Sequence, residues 1–296
     1  MPCHRYRVVD VFTKTPLEGN PLAVFPDGSD IDGATMQKIA KELNLSETVF
    51  ILPPTRPAAA NLRIFTPTYE MDFAGHPTIG ASFVALQEGI VPRNTDHFAV
   101  EENIGLVPIR VEATPMNGPA KETRPLIWLT TPPIQYQQTF DRALCARVLG
   151  LQLDDLLPPT PQLLTAGNPT IFIALKNKDA VDRAWLDRSG AIELRGGDKR
   201  PLCVFIFTPT SEGAYSRMFA PEHGVVEDPA TGSSTGPLAA YMSRTGLVSS
   251  PRFISEQGTK MGRRSLLHVE IRGKDGNNEI DVGGYVTPLI QATMTL

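Results

Sequence analysis

Residues 73–89 read Phe-Ala-Gly-His-Pro-Thr-Ile-Gly-Ala-Ser-Phe-Val-Ala-Leu-Gln-Glu-Gly. Proline near the start and Gly89 at the end predict a helix over residues 77–88. The first turn does not need the N–H that proline lacks, and glycine commonly follows a helix. The helix is apolar on most of its faces, through Ile79, Ala81, Phe83, Val84, Ala85 and Leu86. Because a helix that is apolar all round is buried all round, the rest of a domain must enclose it.

A second helix of this kind is predicted over residues 233–244, and the sequence around the first helix recurs around it. It follows Asp-Pro-Ala-Thr-Gly, residues 228–232, and Gly246 comes after it. Ordered matches about 150 residues apart predict two copies of one unit. The matches are Gly19-Asn20-Pro21 with Gly167-Asn168-Pro169, 49–55 with 204–210, 63–67 with 217–221, 75–76 with 232–233, 89–91 with 246–248, and 98–102 with 253–257.

The length of 296 residues agrees with two domains. The polar, Pro- and Gly-rich stretch at 113–125 has the composition of a linker. We therefore predict one domain over residues 1–118, joined by a C-terminal strand at about 285–296, and another over 119–284. Short strands such as 6–12 and an amphipathic helix starting near Ala34 predict an α/β unit, a curved barrel-like sheet around one central helix.

Composition excludes several classes of protein. The net charge is −4 with no basic block, so nucleic-acid binding has little electrostatic support. No apolar run approaches the ~18 residues of a membrane span, and no signal peptide is evident. Three scattered cysteines indicate neither disulfides nor a zinc site. We expect a cytoplasmic protein with no metal and no organic cofactor.

The starts of the two apolar helices are candidate ligand sites. A helix N-terminus leaves backbone N–H groups unpaired and attracts anions, and Gly75 and Gly232 let a ligand approach the backbone closely. Two such turns, facing one another across a domain cleft, predict a cradle for a small carboxylate. The alternative interpretation is a pair of ordinary capped helix starts.

Positions that differ between the copies indicate where catalysis could occur. Glu47 precedes a strand and aligns with Leu202, His76 aligns with Ser233, and Asp228 is flanked by a second acid. Desolvation can raise the pKa of a carboxyl group such as that of Glu47 until it serves as a proton carrier. The plainer alternatives are a helix-capping or surface role for Glu47 and a capping role for His76.

The sequence Gly-Ser-Ser-Thr-Gly at 232–236 also fits the G-x-S-x-G pattern of serine hydrolases. That mechanism requires an acid and then a histidine downstream. The only later histidine is His268, and no acid before it is clearly placed. Hydrolysis is therefore disfavoured, and no P-loop or G-x-G-x-x-G motif indicates a nucleotide.

The chain resembles the PhzF-like proteins of phenazine biosynthesis essentially from end to end. The resemblance implies a diaminopimelate-epimerase-like fold of two pseudo-symmetric α/β domains, a homodimer, and cofactor-independent isomerisation in the interdomain cleft. It is carried by Asp10-Val-Phe12, Gly19-Asn-Pro-Leu-Ala-Val24, Leu45-Ser-Glu-Thr48, Arg63-Ile-Phe-Thr-Pro67, Phe73-Ala-Gly-His-Pro-Thr78, Glu227-Asp-Pro-Ala-Thr-Gly-Ser233, Glu256-Gln-Gly258 and Met261-Gly-Arg263.

The same resemblance implies the roles of the site residues. Glu47 is the acid/base that moves a ring hydrogen of a dihydro-hydroxyanthranilate. His76 and Asp228, the other members of the catalytic set, hold the polar groups of the substrate. Its carboxylate is received by Ser233 and the helix-start glycines, Gly75 and Gly232.

Departures from the family pattern leave the substrate open. Arg264 stands where the family often has proline, and Ser234 stands where alanine is common. Epimerases of this fold use one cysteine at each helix start, whereas the cysteines here are at 3, 145 and 203. Two-thiol chemistry is therefore disfavoured. The alternative function is a non-catalytic small-molecule-binding or protein-interaction module on the same fold.

Overall fold

The structure is a computed structural model that describes residues 2–115, 123–198, 200–273 and 279–296. The chain forms two compact units. The first extends to Thr130 and also contains Val282–Leu296, and the second contains Thr131–Asp281. The boundary predicted between residues 118 and 119 lies outside the described residues.

Runs of strands are separated by helices along the chain. No helix in the described ranges is long and apolar enough to cross a membrane. The strands and helices are β1 (Cys3–Val11), β2 (Asn20–Phe25), α1 (Gly33–Leu43), β3 (Glu47–Leu52), β4 (Ala60–Phe65), β5 (Glu70–Met71), α2 (Gly75–Glu88), β6 (His97–Glu102), β7 (Gly105–Pro115), β8 (Thr123–Thr130), β9 (Gln135–Thr139), α3 (Arg142–Val148), β10 (Gln162–Thr165), β11 (Thr170–Ala174), α4 (Lys178–Arg183), α5 (Arg188–Arg195), β12 (Cys203–Thr210), β13 (Gly213–Ala220), β14 (Val225–Asp228), α6 (Gly232–Arg244), β15 (Arg252–Gln257), β16 (Ser265–Arg272), β17 (Glu279–Gly284) and β18 (Val286–Thr295).

The first unit is a mixed sheet that encloses α2. β1 pairs with β18 and β2 in antiparallel fashion, and β2 lies parallel to β3. β4 is antiparallel to β3 and parallel to β6, which pairs with β7, and β7 pairs with β8. The parallel pairs need crossovers, which α1 and α2 provide.

Helix α2 is buried along almost its whole length, as its composition predicts. Every residue from Gly75 to Leu86 is buried, and the helix contacts β1, β2, β3, β4 and β8. It begins earlier than predicted, at Gly75 rather than Pro77, and ends at Gly89 in the left-handed conformation. His76 therefore lies inside the first turn of the helix rather than in the loop before it.

The second unit repeats this order of pairings. β10 is antiparallel to β11, β11 is parallel to β12, and β12 is antiparallel to β13. β13 lies parallel to β15, which pairs with β16. The buried helix is α6, whose Leu238, Ala239, Tyr241 and Met242 pack in an apolar cluster with Phe172, Phe205 and Phe207.

The two units differ in the crossover between their first parallel strands. α1 lies between β2 and β3, whereas the longer segment 175–202 contains α4 and α5. These helices pack with α3 in an apolar cluster that includes Leu149, Leu186 and Leu194. The additional residues explain why the spacing between matching motifs increases after Gly167-Asn168-Pro169.

We predict that Gly80→Ala destabilises the protein, because α2 packs closely against two strands at this position. A Cβ there would lie 2.5 Å from Leu22 Cδ2 and 2.9 Å from Val11 Cγ2. The expected loss in free energy of unfolding is about 1–3 kcal/mol, opposed by alanine's better helix propensity. Urea unfolding measures it. The control is Gly197→Ala, whose Cβ would have nothing within 4 Å. Equal stability of both variants would contradict the close packing.

Candidate active site

Glu47 is the first residue of β3 and lies opposite Leu22 of the parallel strand β2. Its side chain is 16% exposed, so it is not a solvated surface charge. The parallel pairing of β2 and β3 brings the Gly19-Asn20-Pro21 motif and Glu47 to the same end of the sheet. The acid predicted to carry the proton is therefore mostly buried beside that motif.

His76 contacts Glu47 within the first unit. Its Nε2 lies 3.3 Å from Glu47 Oε2, and its side chain is 5% exposed. Burial lowers the pKa of His76 to about 3, so the ring is neutral near pH 7. The contact is thus between a neutral imidazole and a carboxyl group rather than an ion pair. Glu47 and His76, both candidate site residues from the sequence, lie in one cluster.

Asn20 is a member of this cluster that the sequence-based reasoning missed. It is fully buried, and its Nδ2 lies 3.3 Å from His76 Nδ1. The ring also forms a hydrogen bond with the backbone of Pro21, and because Pro21 has only a carbonyl to offer, a ring N–H donates to it. Nε2 is the nitrogen that faces Glu47. The recurrence of Gly-Asn-Pro was the signal that could have identified Asn20.

Asp228 lies at the end of β14 in the second unit and is 8% exposed. The Thr231 hydroxyl donates to Asp228 Oδ2. Gln257 holds this turn: its Nε2 donates to Asp228 O (2.8 Å) and Thr231 Oγ1 (3.0 Å), and its Oε1 accepts from Thr231 N (3.1 Å). The neighbouring acid, Glu227, pairs instead with Arg217.

Ser233 occupies the second position of α6, as His76 does in α2. Its Oγ accepts a hydrogen bond from Asn168 Nδ2 at 3.1 Å. In each unit, the asparagine of Gly-Asn-Pro therefore reaches the second residue of the buried helix. The asparagine is common to both units, and only the residue that it contacts differs.

The geometry of Ser234 does not support the hydrolase interpretation. Ser234 is fully buried, and its Oγ lies 2.9 Å from Thr170 Oγ1. A serine nucleophile needs a histidine base within hydrogen-bond reach and an exposed hydroxyl. Ser234 has a threonine at that distance instead.

The position that matches Glu47 in the second unit is Cys203. Leu22 and Thr170 each follow a Gly-Asn-Pro motif, and they pair with Glu47 and Cys203, respectively. This register corrects the sequence alignment, which placed Leu202 there. Burial, aided by the charge of Asp228, raises the pKa of the Cys203 thiol to about 12. A thiol that stays protonated cannot act as a base, which agrees with the argument against two-thiol chemistry.

The predicted site residues thus fall into two groups. Gly75, His76 and Glu47 belong to the first unit, and Asp228, Gly232 and Ser233 to the second. Within each unit the residues gather at the start of the buried helix. That both groups face one cleft stays a prediction. Within the described ranges, no group of three or more His, Cys, Asp and Glu side chains could hold a metal ion.

Each unit has the α/β architecture of diaminopimelate-epimerase-like proteins, as predicted. A probable proline racemase from Agrobacterium radiobacter matches the structure with a TM-score of 0.66 at 13% identity, covering 99% of this chain and 93% of that one. The model of phenazine biosynthesis-like proteins, PhzC-PhzF, matches residues 9–292, and the chain belongs to this family.

Individual relatives agree with this assignment. The chain is similar to a trans-2,3-dihydro-3-hydroxyanthranilate isomerase of Pseudomonas aeruginosa, at 34% identity over 91% of each chain. A PhzF-family phenazine biosynthesis protein of Bacillus anthracis matches with a TM-score of 0.88 at 23% identity, covering all of both chains. The resemblance drawn from the sequence motifs is confirmed.

We predict that His76 makes the protein less stable in acid. A histidine with a lowered pKa in the folded state binds fewer protons there than when unfolded. Its contribution to stability is complete above about pH 6.5 and declines by about 1.4 kcal/mol per pH unit as the pH falls toward 3. His76→Gln should lack this part of the pH dependence of stability when urea unfolding is measured between pH 4 and 7.

The matched control for this experiment is His97→Gln, because His97 is exposed on β6. It should keep the pH dependence of the wild-type protein. If His76→Gln also kept that dependence, His76 would be protonated in the folded protein, and the neutral-ring assignment would be wrong.

Proposed function

We propose that the protein moves a carbon-bound proton on a small unsaturated amino or hydroxy carboxylate, with Glu47 as the general acid/base and no cofactor. An isomerase of the PhzF type agrees with the relatives that carry this name. The observation that carries the proposal is the buried pair of Glu47 and neutral His76, 3.3 Å apart at the start of α2. A dihydro-hydroxyanthranilate, the substrate in the name of the Pseudomonas enzyme, is the proposed substrate type.

Glu47 removes a proton from one carbon and returns it to another. Removal leaves negative charge on the conjugated system of the substrate, and backbone N–H groups at a helix start stabilise such charge. His76 Nε2 lies 3.3 Å from Glu47 Oε2, so the ring packs against the carboxyl group. Because His76 is neutral, it adds no positive charge that would make Glu47 a weaker base.

Ser233, Asp228 and the two helix-start glycines supply the groups that bind the substrate. Ser233 Oγ accepts from Asn168, so its own hydroxyl proton can be donated to a substrate carboxylate. Gly75 and Gly232 are the first residues of their helices, where backbone N–H groups have no partner within the helix. Asp228, oriented by Thr231, holds an amino or hydroxyl group.

The proposal includes three further expectations. The chain arose by internal duplication, which the matching order of strand pairings in the two units supports. The proposed assembly is a homodimer, and the proposed location is the cytoplasm. Both rest on the sequence and stay predictions.

We predict that Glu47→Gln abolishes proton transfer but not binding. The amide keeps the shape of the side chain but cannot accept a proton, so exchange of carbon-bound hydrogen with deuterated solvent should fall by ~10²–10⁴-fold. The assay uses trans-2,3-dihydro-3-hydroxyanthranilate and follows deuterium incorporation by mass spectrometry. Thermal shift with the same compound measures binding.

Glu42→Gln is the control, because Glu42 is an exposed glutamate on α1. It should exchange hydrogen as fast as the wild type. Wild-type exchange by Glu47→Gln would exclude Glu47 as the acid/base. If the wild-type protein bound related carboxylates with neither turnover nor exchange, the non-catalytic binding module would be the better interpretation.

We predict that Ser233→Ala weakens substrate binding more than it slows the chemical step. Losing a hydrogen bond to a charged carboxylate costs about 1.5–3 kcal/mol, or roughly 10–100-fold in KM, with kcat changed little. Steady-state kinetics separates the two constants. Ser243→Ala, an exposed position on the same helix, is the control. A fall in kcat at unchanged KM would show that Ser233 acts in the transition state instead.

A further inference from the structure

The last residues of β6 and β15, Glu102 and Gln257, occupy matching positions. β6 lies parallel to β4, and β15 lies parallel to β13, the corresponding strand of the second unit. Glu101, which precedes Glu102, pairs with Asn61 of β4, and Glu256, which precedes Gln257, pairs with Tyr215 of β13. Asn61 and Tyr215 occupy corresponding positions of their strands. Both side chains are buried, and both reach the turn that begins the buried helix. They differ in chemistry, because one is an acid and the other an amide.

The contacts of Glu102 are with the first turn of α2. Its Oε1 lies 2.5 Å from the Thr78 hydroxyl, which lies 2.7 Å from Ala74 O. The backbone N–H of Ala74 also forms a hydrogen bond with the carboxyl group. Ala74 is the N-cap of α2 and has no side-chain group of its own to cap the helix. Glu102 therefore bonds the N-cap residue and the first turn of α2 from a strand of the same unit.

The two contacts of the Thr78 hydroxyl set the protonation state of Glu102. A hydroxyl has one proton, and the carbonyl of Ala74 can only accept a hydrogen bond. If Thr78 donates to Ala74, the proton in its contact with Glu102 must come from the carboxyl group. Only the neutral acid of Glu102 satisfies both contacts at once.

The surroundings of Glu102 disfavour a negative charge. The residue is 3% exposed, and its Oε2 has no hydrogen-bond partner among the described residues. Burial is the largest cause of its raised pKa, about 8, and no cation is among the causes. Close in sequence to these contacts are neutral His76 on α2, Asp72 in the turn before it, and Glu101 on β6, which is bonded to Thr55 and Arg56. The other ionisable groups of α2, β4, β6 and β7 are exposed His97 and charges that have partners of opposite sign: Glu88 with Arg7, Arg63 with Glu70, and Arg110 with Glu112.

We propose that Glu102 is a positioning residue that acts as a neutral carboxylic acid and holds the helix start carrying Gly75 and His76, as Gln257 holds that of α6. A protonated carboxyl group and a carboxamide have the same shape, and each offers a donor and an acceptor. The amide of Gln257 donates to Asp228 O and Thr231 Oγ1 and accepts from Thr231 N. In the proposed neutral form, the carboxyl O–H of Glu102 takes the donor role in its 2.5 Å contact with the Thr78 hydroxyl, and the carboxyl group accepts from Ala74 N–H.

This inference deepens the proposed function, on which it rests only for the role of His76. It has a consequence that needs no substrate. Because the folded state holds the proton of Glu102 more tightly than the unfolded state does, stability decreases as the pH rises from about 4.5 to about 8. The fall corresponds to about tenfold in the folding equilibrium constant per pH unit. Above about pH 8 the contribution of Glu102 to stability no longer changes with pH.

The test compares urea unfolding of the wild type, Glu102→Gln and Gln257→Glu between pH 5 and 9. Relative to the wild type, Glu102→Gln should gain about tenfold in folding constant per pH unit up to about pH 8. Gln257→Glu should show the opposite slope, because it places an acid in the matching position. The proposal would be overturned if the ratio of the folding constants of Glu102→Gln and the wild type did not change with pH. It would also be overturned if the folding constant of Gln257→Glu, relative to the wild type, did not change with pH.

A second measurement tests the positioning role through activity. Hydrogen exchange with trans-2,3-dihydro-3-hydroxyanthranilate should be retained by Glu102→Gln and reduced by Glu102→Leu, which has neither donor nor acceptor. Above pH 8 the wild type should lose exchange relative to Glu102→Gln. Equal pH profiles of the two proteins would contradict the role. Failure of the proposed function removes exchange from every variant but leaves the unfolding result intact.

If Glu102→Gln does not fold, the protonation state can be read from a protein that retains Glu102. Glutamate side chains labelled with ¹³C in the carboxyl carbon are titrated by NMR in the Glu47→Gln background, which removes the signal of the proposed acid/base. One glutamate should titrate above pH 7. If all glutamates titrate below pH 6, the neutral-acid assignment is wrong.

Discussion

A helix buried on every side cannot satisfy the polar groups of its first turn with water. α2 and α6 both meet this constraint, and the surrounding strand ends supply the partners instead. Asn20 and Glu102 serve the start of α2, and Asn168 and Gln257 serve the start of α6. Because unpaired buried polar groups are costly, these partners fix where each helix begins and which side chains its first turn presents.

The same burial controls the chemistry of the side chains that the helix starts present. His76 is neutral because the cluster is dry, and Cys203 keeps its proton for the same reason. A neutral imidazole beside Glu47 can orient a base without weakening it, whereas a protonated thiol beside Asp228 has no basic function. We therefore propose that proton transfer takes place in the first unit. The second unit offers hydroxyl, amide and carboxylate groups suited to binding.

Much of the fold could be predicted from sequence, because apolar runs and the Gly and Pro residues that bound them determine local structure. The buried helices and the paired Gly-Asn-Pro motifs were recognisable in this way. The start of α2 at Gly75 was not, since its contact with Glu102, far along the chain, exists only in the fold. The match of Glu47 to Cys203 was not predicted either, because it depends on strand register. The sequence alignment was one residue off at this point and matched Glu47 to Leu202 instead. The pairing of His76 with Glu47 could be proposed from motifs, but its neutrality follows only from burial in the fold.

The two units keep their supporting residues and vary the residues that they support. An asparagine contacts the second helix position in both, although that position holds His76 in one and Ser233 in the other. The strand-end support differs only between an acid and an amide, which have the same shape and each offer a donor and an acceptor when the acid is neutral. We expect changes at Glu47 or His76 to alter the chemistry and changes at the supports to alter the helix start. Divergence of function within this fold is therefore expected to concentrate at the supported positions.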